Sequence, residues 1–222
     1  MRITPLYVLL GAAALLAAAP ARAQAPSERW ENDIRAFETA DRETPPPEGA
    51  VLFVGSSSIR MWETLEADFP GVPVIRRGFG GSEIADATHF ADRIILPYRP
   101  RTVVVYAGDN DLAAGKTPER VFADYRALVD TIHAHLPETK VVYIAVKPSV
   151  ARWNLAPQIR EANTLIREHA SHDPRLAFVD VFTPMLGADG TPRPDLLAED
   201  GLHLSPPGYA LWRELVAPFV TE

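Results

Sequence analysis

Four polar segments of this sequence hold residue types that together can transfer an acyl group. The first is Gly55-Ser56-Ser57-Ser58, directly after an apolar run, and the last is Asp200-Gly201-Leu202-His203. A serine hydroxyl becomes a useful nucleophile only when a neighbouring base removes its proton. His203 is the candidate base, and Asp200 stands three residues earlier, where it can hold the imidazole in its productive tautomer and stabilise its charged form. The alternative for the serine segment is a turn that ends in a helix N-cap.

The two segments between them offer hydrogen-bond donors. Attack on an ester carbonyl builds negative charge on the oxygen, and preplaced donors stabilise that charge. Gly78-Phe79-Gly80-Gly81 brings the backbone N–H of Gly81, which can approach a substrate closely because glycine has no side chain. Gly108-Asp109-Asn110-Asp111 brings the side-chain amide of Asn110. Taken singly, these segments are also consistent with a tight glycine turn and an Asx turn at a strand end.

Alternating strands and helices must position these segments. Short apolar runs typical of buried strands lie at 51–54, 72–75, 102–106, 141–146 and 176–181. Helices are indicated at about 82–96 and 157–169, after Thr117-Pro118 and Ser205-Pro206, and behind Ser27 as an N-cap. This alternation predicts a parallel sheet that is covered on both faces, a three-layer α/β/α domain.

One edge of the predicted sheet collects the four polar segments. Parallel strands all end at the same edge, and open α/β sheets bind their ligands there. The segment after the fourth strand reaches this edge too, so Arg152 and Trp153 are expected in the wall of a substrate pocket. The alternative for that segment is a loop anchored by one tryptophan. We interpret Asp109 and Asp111 as loop structure.

The first 23 residues differ in composition from the rest. Arg2 precedes an uncharged, leucine- and alanine-rich run over about 6–19, and Ala21-Arg22-Ala23 follows. This order is typical of a secretory signal peptide, whereas a membrane-spanning helix needs about 20 apolar residues. We therefore expect cleavage after Ala23 or Ala25, and an exported protein, periplasmic or secreted, with no stable membrane anchor. Residues 24–49 are expected to form a helix and a proline-rich lead-in, and residues 50–222 one domain.

Charge and cysteine content exclude several classes. The formal net charge is −7 over 222 residues, and removal of Arg2 and Arg22 with the signal peptide makes it −9. This balance disfavours nucleic acids and anionic membranes as partners, because both need basic surfaces. A cysteine count of 0 excludes disulfides, a thiol nucleophile and thiolate metal sites. No residue spacing is typical of a metal site, so we expect no bound metal.

In this order, the four segments resemble the sequence blocks of the SGNH (GDSL-type) hydrolases. Each block alone occurs by chance in many proteins, but four in order form a specific joint pattern from about residue 51 to the last helix. The resemblance implies a flavodoxin-like sheet of five parallel strands. It also implies hydrolysis of small-molecule, glycan or lipid esters without a metal or organic cofactor. One position departs from the family, since its usual Gly-Asp-Ser is Gly-Ser-Ser here.

Matching the blocks residue by residue assigns the roles. Ser57, second after the block glycine, matches the nucleophile, and Asp200 and His203 match the carboxylate and the base. Gly81 and Asn110 match the oxyanion donors, joined by the backbone N–H of Ser57. The family's aspartate that is a serine here does not occupy any of these positions. The neighbouring serines, Ser56 and Ser58, are expected to shape the loop by hydrogen bonding. The acidic surface and the lack of an obvious apolar lid favour short acyl or acetyl esters.

Two other functional classes fit part of the pattern. A flavodoxin-like module that binds a phosphate or nucleotide uses a hydroxyl-rich loop after its first strand. That class explains the serines but leaves Asp200 and His203 without a role. A catalytically inactive, glycan-binding domain is the second alternative, and the intact set of serine, asparagine, aspartate and histidine argues against it.

Overall fold

A five-stranded, all-parallel sheet forms the centre of the protein, which a computed structural model describes over residues 26–221. The strands are β1 (Val51–Gly55), β2 (Val74–Gly78), β3 (Thr102–Tyr106), β4 (Lys140–Ile144) and β5 (Leu176–Val179). They pair in the order β2-β1-β3-β4-β5. This is the flavodoxin-like order, with its switch point between β1 and β3. The predicted α/β class and the five-stranded parallel sheet are confirmed.

Nine α-helices surround this sheet within residues 26–221. They are α1 (Glu31–Glu43), α2 (Ser57–Arg60), α3 (Leu65–Asp68), α4 (Ile84–His89), α5 (Ala91–Ile94), α6 (Asp109–Ala113), α7 (Pro118–His135), α8 (Ala156–Ala170) and α9 (Pro206–Val220). Short 3₁₀ turns lie at Pro26–Trp30, Leu96–Tyr98, Trp153–Leu155 and Pro194–Leu196. Helix α7 packs against α4 and α8, and α9 packs against the α2–α3 segment through Trp212 and Trp62, whose ring centroids are 6.0 Å apart. No helix in the described part of the chain is both long and apolar enough to cross a membrane.

The core lies on both faces of the central strands. All five residues of β1 and of β3 are buried, which is typical of parallel strands that carry helices on both sides. Fully burying one valine, leucine or phenylalanine side chain stabilises a fold by roughly 1.5–3 kcal/mol. The buried strands thus fix the points from which the loops at the edge of the sheet begin.

Strand β2 differs from its prediction, since it runs over Val74–Gly78 and not over 72–75. Its apolar run ends at Ile75, but pairing with β1 continues through Arg76 and Arg77. An edge strand tolerates long charged side chains, because they can reach partners beyond the sheet. Arg77 places Nη2 2.6 Å from Asp41 Oδ1, so its charge is neutralised by α1.

Two helix predictions also need correction. Ser27 is not an N-cap of α1: it lies in the preceding 3₁₀ turn, and its Oγ donates to Asp86 Oδ1 at 2.7 Å. The helix expected at 82–96 is broken at Phe90 into α4 and α5. Helix α2 is a single turn, so Trp62 follows it and is fully buried. The predicted signal peptide lies outside the described residues.

Candidate active site

At the end of β1, where the serine segment begins, the backbone of Gly55 lies very close to that of β3. A Cβ atom on Gly55 would lie 1.9 Å from the carbonyl oxygen of Tyr106 on β3, and its φ of +144° disfavours side chains as well. Only glycine fits at this point. The chain then enters α2, whose first residue is Ser57. The backbone N–H at this first position has no partner within the helix, and the hydroxyl faces the loop that follows β5.

Ser57, His203 and Asp200 form one hydrogen-bonded chain. Ser57 Oγ lies 3.0 Å from His203 Nε2, and His203 Nδ1 lies 2.5 Å from Asp200 Oδ2. The hydrogen bond from His203 is the first cause that lowers the pKa of Asp200 to about 2. An ionised carboxylate only accepts hydrogen bonds, so Nδ1 carries the proton, and Nε2 of the neutral ring is the acceptor for the Ser57 hydroxyl. This is the tautomer in which an imidazole acts as a base toward serine.

The loop around Asp200 fixes the orientation of the carboxylate. Asp200 Oδ1 accepts hydrogen bonds from the backbone N–H groups of Leu202 and His203, both at 2.9 Å. These bonds close an Asx turn, so the spacing of three residues places carboxylate and imidazole side by side. The spacing Asp-x-x-His in the sequence is therefore a local geometric requirement of this pair.

The two predicted oxyanion donors line the same cleft as the Ser57 hydroxyl. Gly81 has a φ of +77°, a conformation that glycine adopts without strain, and its α-carbon faces the edge of the Trp30 ring. Asn110 lies in the first turn of α6, and its Nδ2 donates to the carbonyl oxygen of Ser82 at 3.0 Å. Since an amide nitrogen carries two hydrogens, the second one is available to a ligand.

An open cleft of about 490 Å³ contains these groups. Its lining residues are Trp30, Asp33, Ser57, Arg60, Gly80, Gly81, Asn110, Arg152, Leu202 and His203. The lining thus includes the predicted residues Ser57, His203, Gly81, Asn110 and Arg152, while Asp200 stands behind the imidazole.

Trp153, in contrast, does not line this cleft. Its ring stacks on Phe182, with 6.5 Å between the ring centroids, and the guanidinium of Arg160 lies over it at 6.0 Å. The expectation that Trp153 shares a pocket wall with Arg152 is therefore not met. The 3₁₀ turn at Trp153–Leu155 directs the ring toward α8, which agrees with the alternative of a loop anchored by a tryptophan.

The Ser56 hydroxyl does not shape the loop by hydrogen bonding as expected. Ser56 Oγ is buried and has no hydrogen-bond partner among the described residues. The loop is held by main-chain groups: the carbonyl of Ser56 accepts from Ile59 and Arg60, and the carbonyl of Ser58 accepts from the Tyr209 hydroxyl. Within residues 26–221, no group of three or more His, Cys, Asp or Glu side chains is arranged to hold a metal.

Sequence reasoning assigned no role at the site to five residues that line the cleft, namely Trp30, Asp33, Arg60, Gly80 and Leu202. Arg60 is exposed and its guanidinium lies against Gly80. No sequence signal was available for Asp33 and Trp30, because they reach the cleft from the segment before β1.

Comparison with known proteins decides the family. The model of the GDSL-like lipase/acylhydrolase family matches residues 48–211. The chain belongs to this family. Membership confirms the resemblance to the SGNH (GDSL-type) hydrolases and supports hydrolysis of ester bonds as the general activity.

Relatives of this GDSL-like protein agree in sequence and in fold. It is 30% identical over 190 residues to human platelet-activating factor acetylhydrolase IB subunit alpha1, covering 82% of this chain and 78% of the relative. A GDSL-like lipase from Bacteroides thetaiotaomicron superposes with a TM-score of 0.69 at 21% identity, covering 88% of this chain and 97% of that one. A carbohydrate esterase family 3 structure from Talaromyces cellulolyticus gives a TM-score of 0.61 at 18% identity, with coverages of 78% and 96%.

Proposed function

We propose that this GDSL-like protein is a serine esterase that forms an acyl-enzyme on Ser57. The observation that carries the proposal is the continuous chain from Ser57 Oγ through His203 to Asp200, with distances of 3.0 and 2.5 Å. A hydroxyl within hydrogen-bond reach of a base, which a third group orients, is the arrangement that activates a serine nucleophile. A module that only binds phosphate has no need of it.

The proposed reaction has two halves. Ser57 Oγ attacks the ester carbonyl carbon while its proton passes to His203 Nε2, and the carbonyl oxygen becomes an oxyanion facing Gly81, Asn110 and the Ser57 N–H. Collapse of this intermediate breaks the bond to the alcohol, which leaves with the proton from His203. Water then repeats the attack on the acyl group, His203 takes its proton, and the acid departs as Ser57 recovers its own.

We propose that the protein prefers esters with short acyl groups, and the lining of the cleft supports this preference. Apart from Trp30 and Leu202, its lining side chains are polar, charged or absent, and it is open. A long acyl chain needs an apolar tunnel that removes its methylenes from water, worth about 0.8 kcal/mol for each one, and the lining residues do not provide one. The name of the human relative, an acetylhydrolase, agrees with this preference.

A nitrophenyl ester series tests the proposal. We expect the protein to hydrolyse the acetyl and butyryl esters faster than the octanoyl ester, and Ser57→Ala to abolish this activity. The matched control is Ser56→Ala, which removes a neighbouring hydroxyl that has no partner among the described residues. It should keep the parent turnover, and a covalent acyl adduct should appear by mass spectrometry only where Ser57 is present.

Three outcomes would contradict the proposal. If Ser57→Ala retained the parent rate, another residue would be the nucleophile. If Ser56→Ala lost activity while Ser57→Ala kept it, the serine assignment would shift by one position. If folded protein turned over no ester, including acetylated polysaccharides, one of the two binding-only classes would replace the enzyme.

We also propose that the protein is exported and that residues 1–23 are removed. The support is the order of Arg2, the apolar run and the small-x-small site in the sequence. Expression of the full chain in a Gram-negative bacterial host, fractionation and N-terminal sequencing test this. We expect a periplasmic or secreted protein that begins at Gln24, or at Pro26 if cleavage follows Ala25, and cytoplasmic protein that keeps Met1 would refute export.

A further inference from the structure

The side-chain amide of Asn110 is held at both of its ends. Its Nδ2 donates to the Ser82 carbonyl at 3.0 Å, and its Oδ1 accepts from Arg152 Nη2 at 3.1 Å. If the amide were rotated by 180°, Oδ1 would face another carbonyl oxygen and Nδ2 would face a guanidinium. Both contacts would then be repulsive, so the two partners together select one orientation. In this orientation the free Nδ2 hydrogen remains available to an oxyanion.

Arg152 also pairs with a buried carboxylate. Its Nη1 lies 3.3 Å from Oδ2 of Asp109, a side chain that is only 7% exposed. The same carboxylate accepts from the Asn110 backbone N–H through Oδ1 at 3.0 Å, and Lys147 Nζ lies 3.8 Å from its Oδ2. Arg152 is therefore held by the Asn110 amide through a hydrogen bond from Nη2 and by the buried Asp109 carboxylate through an ion pair, in which Nη1 makes no hydrogen bond.

The segment that carries Arg152 is also tied to the histidine loop. The backbone N–H of Ala151 donates to the Gly201 carbonyl at 3.0 Å, between Asp200 and His203. One short segment after β4 thus contacts the loop of the base on one side and the amide donor on the other. A displacement of this segment would change both.

We propose that Arg152 is a positioning residue that holds Asn110 as an oxyanion donor. Arg152 acts through the orientation of the amide, and its contribution depends on the presence of Asn110. This inference rests on the proposed esterase function, and it replaces the expectation that Arg152 serves mainly as a substrate contact. A substrate-binding arginine would leave its guanidinium free for the ligand, whereas this one is engaged by Asn110 and Asp109.

A double-mutant cycle on nitrophenyl acetate tests the role of Arg152. The substrate is uncharged, so direct ionic binding to Arg152 plays no part. We expect Arg152→Met to lower kcat by about 10- to 100-fold with little change in KM, a part of the roughly 100- to 1,000-fold effect of losing one donor in Asn110→Ala. In the Asn110→Ala background, Arg152→Met should lower kcat by less than about 2-fold, because the group that it positions is gone.

Two further variants keep the test decisive. Arg152→Lys retains one donor to Asn110 and should recover part of kcat, and it serves as the alternative if Arg152→Met does not fold. Arg160→Met removes another arginine, one that stacks on Phe182 at 4.5 Å outside the cleft, and should leave kcat unchanged.

The outcomes separate this inference from the proposed function. Equal losses from Arg152→Met in both backgrounds would show that Arg152 acts independently of Asn110, and a raised KM at constant kcat would show a substrate contact. Either result overturns the positioning role while the Ser57-dependent activity stands. Parent protein without Ser57-dependent turnover would refute the esterase itself.

Discussion

Asp200 and Asp111 each bond to a basic side chain, but their surroundings move their pKa values in opposite directions. The Asp200 side chain is 49% exposed, and hydrogen bonds from His203 and from two backbone N–H groups lower its pKa to about 2. The Asp111 side chain is fully buried, and burial raises its pKa to about 6 although Lys116 Nζ donates to it at 2.9 Å. Hydrogen bonds thus keep Asp200 charged, and its exposure keeps the opposing cost of burial small.

The buried carboxylate belongs to a different kind of site. Asp111 accepts from the Ile84 backbone N–H, and Lys116 also pairs with Glu83 at 2.9 Å and with Asp124 at 2.7 Å. Partial burial disfavours the charged form of Lys116, but these hydrogen bonds raise its pKa above the usual value. This cluster joins α4, α6 and α7 and so fixes the turns on which Gly81 and Asn110 stand.

The comparison indicates that the exposed Asp200 has a catalytic role and that the buried Asp111 has a structural one. A charge that must stabilise a transient imidazolium has to persist over the working pH range, and the hydrogen bonds that lower the pKa of Asp200 preserve it. A carboxylate that only joins helices can tolerate protonation, because either form can bond to its neighbours. A variant of Asp200 should therefore change the turnover rate, whereas a variant of Asp111 should change the pH dependence of stability.

The largest effect is expected for Asp200→Asn, which should lower kcat on nitrophenyl acetate by about 1,000- to 10,000-fold. The amide no longer favours the tautomer with the proton on Nδ1, and it does not stabilise the imidazolium. The free energy of unfolding should change by less than about 1 kcal/mol, since the position is exposed and Oδ1 can still accept the two backbone bonds. Steady-state kinetics and chemical denaturation measure the two quantities.

The matched control is Asp189→Asn. Asp189 also closes an exposed turn, by accepting from the Thr191 backbone N–H at 3.0 Å, but it has no histidine partner. Its kcat should equal that of the parent. Similar losses of kcat in both variants would indicate that turn geometry, and not the charge beside His203, sets the rate.

A smaller effect is expected for Asp111→Asn, in the pH dependence of stability. Between its ordinary pKa of 3.8 and its folded pKa of about 6, Asp111 binds more protons in the folded chain than in the unfolded chain. The free energy of unfolding of the parent therefore loses a contribution as pH rises through this window. Relative to the parent, Asp111→Asn should gain stability by about 1 kcal/mol per pH unit from pH 4 to pH 6.

Asp200→Asn provides the opposite reference for this measurement. The stabilisation that Asp200 contributes is present above pH 3.8 and is lost as pH falls toward 2. The difference in free energy of unfolding between Asp200→Asn and the parent should therefore not change from pH 4 to pH 6. Denaturant titrations at several pH values compare the three proteins. A flat difference for Asp111→Asn would show that its pKa is not raised by burial.

Much of the fold was predictable because strand and helix patterns are local. The apolar runs at 51–54 and 102–106 fall on β1 and β3, and the N-caps at Thr117 and Ser205 accept from Arg120 and Gly208 as their sequences predict. The edge strand β2 was placed too early, because its last residues include arginines that pair with partners far along the chain. Local patterns cannot anticipate such partners.

The candidate site was predictable only in part, for the same physical reason. The residue types and order of Ser57, Gly81, Asn110 and His203 indicated one edge of a parallel sheet, since every parallel strand ends there. How the loops pack on one another decides which further side chains line the cleft. It brings Trp30 and Arg60 into the lining and leaves Trp153 outside. That packing is set by long-range contacts that no spacing in the sequence encodes.

The sequence by itself determined the fold class, the order of the polar blocks and the Asp-x-x-His turn, because each depends on local pattern or on strand ends. Only the tertiary structure decided which amide orientation Arg152 and Ser82 select, and which carboxylate is exposed and which is buried. Orientation and pKa depend on the distances and exposure of groups remote in sequence. Those quantities exist only once the loops are packed on the folded sheet.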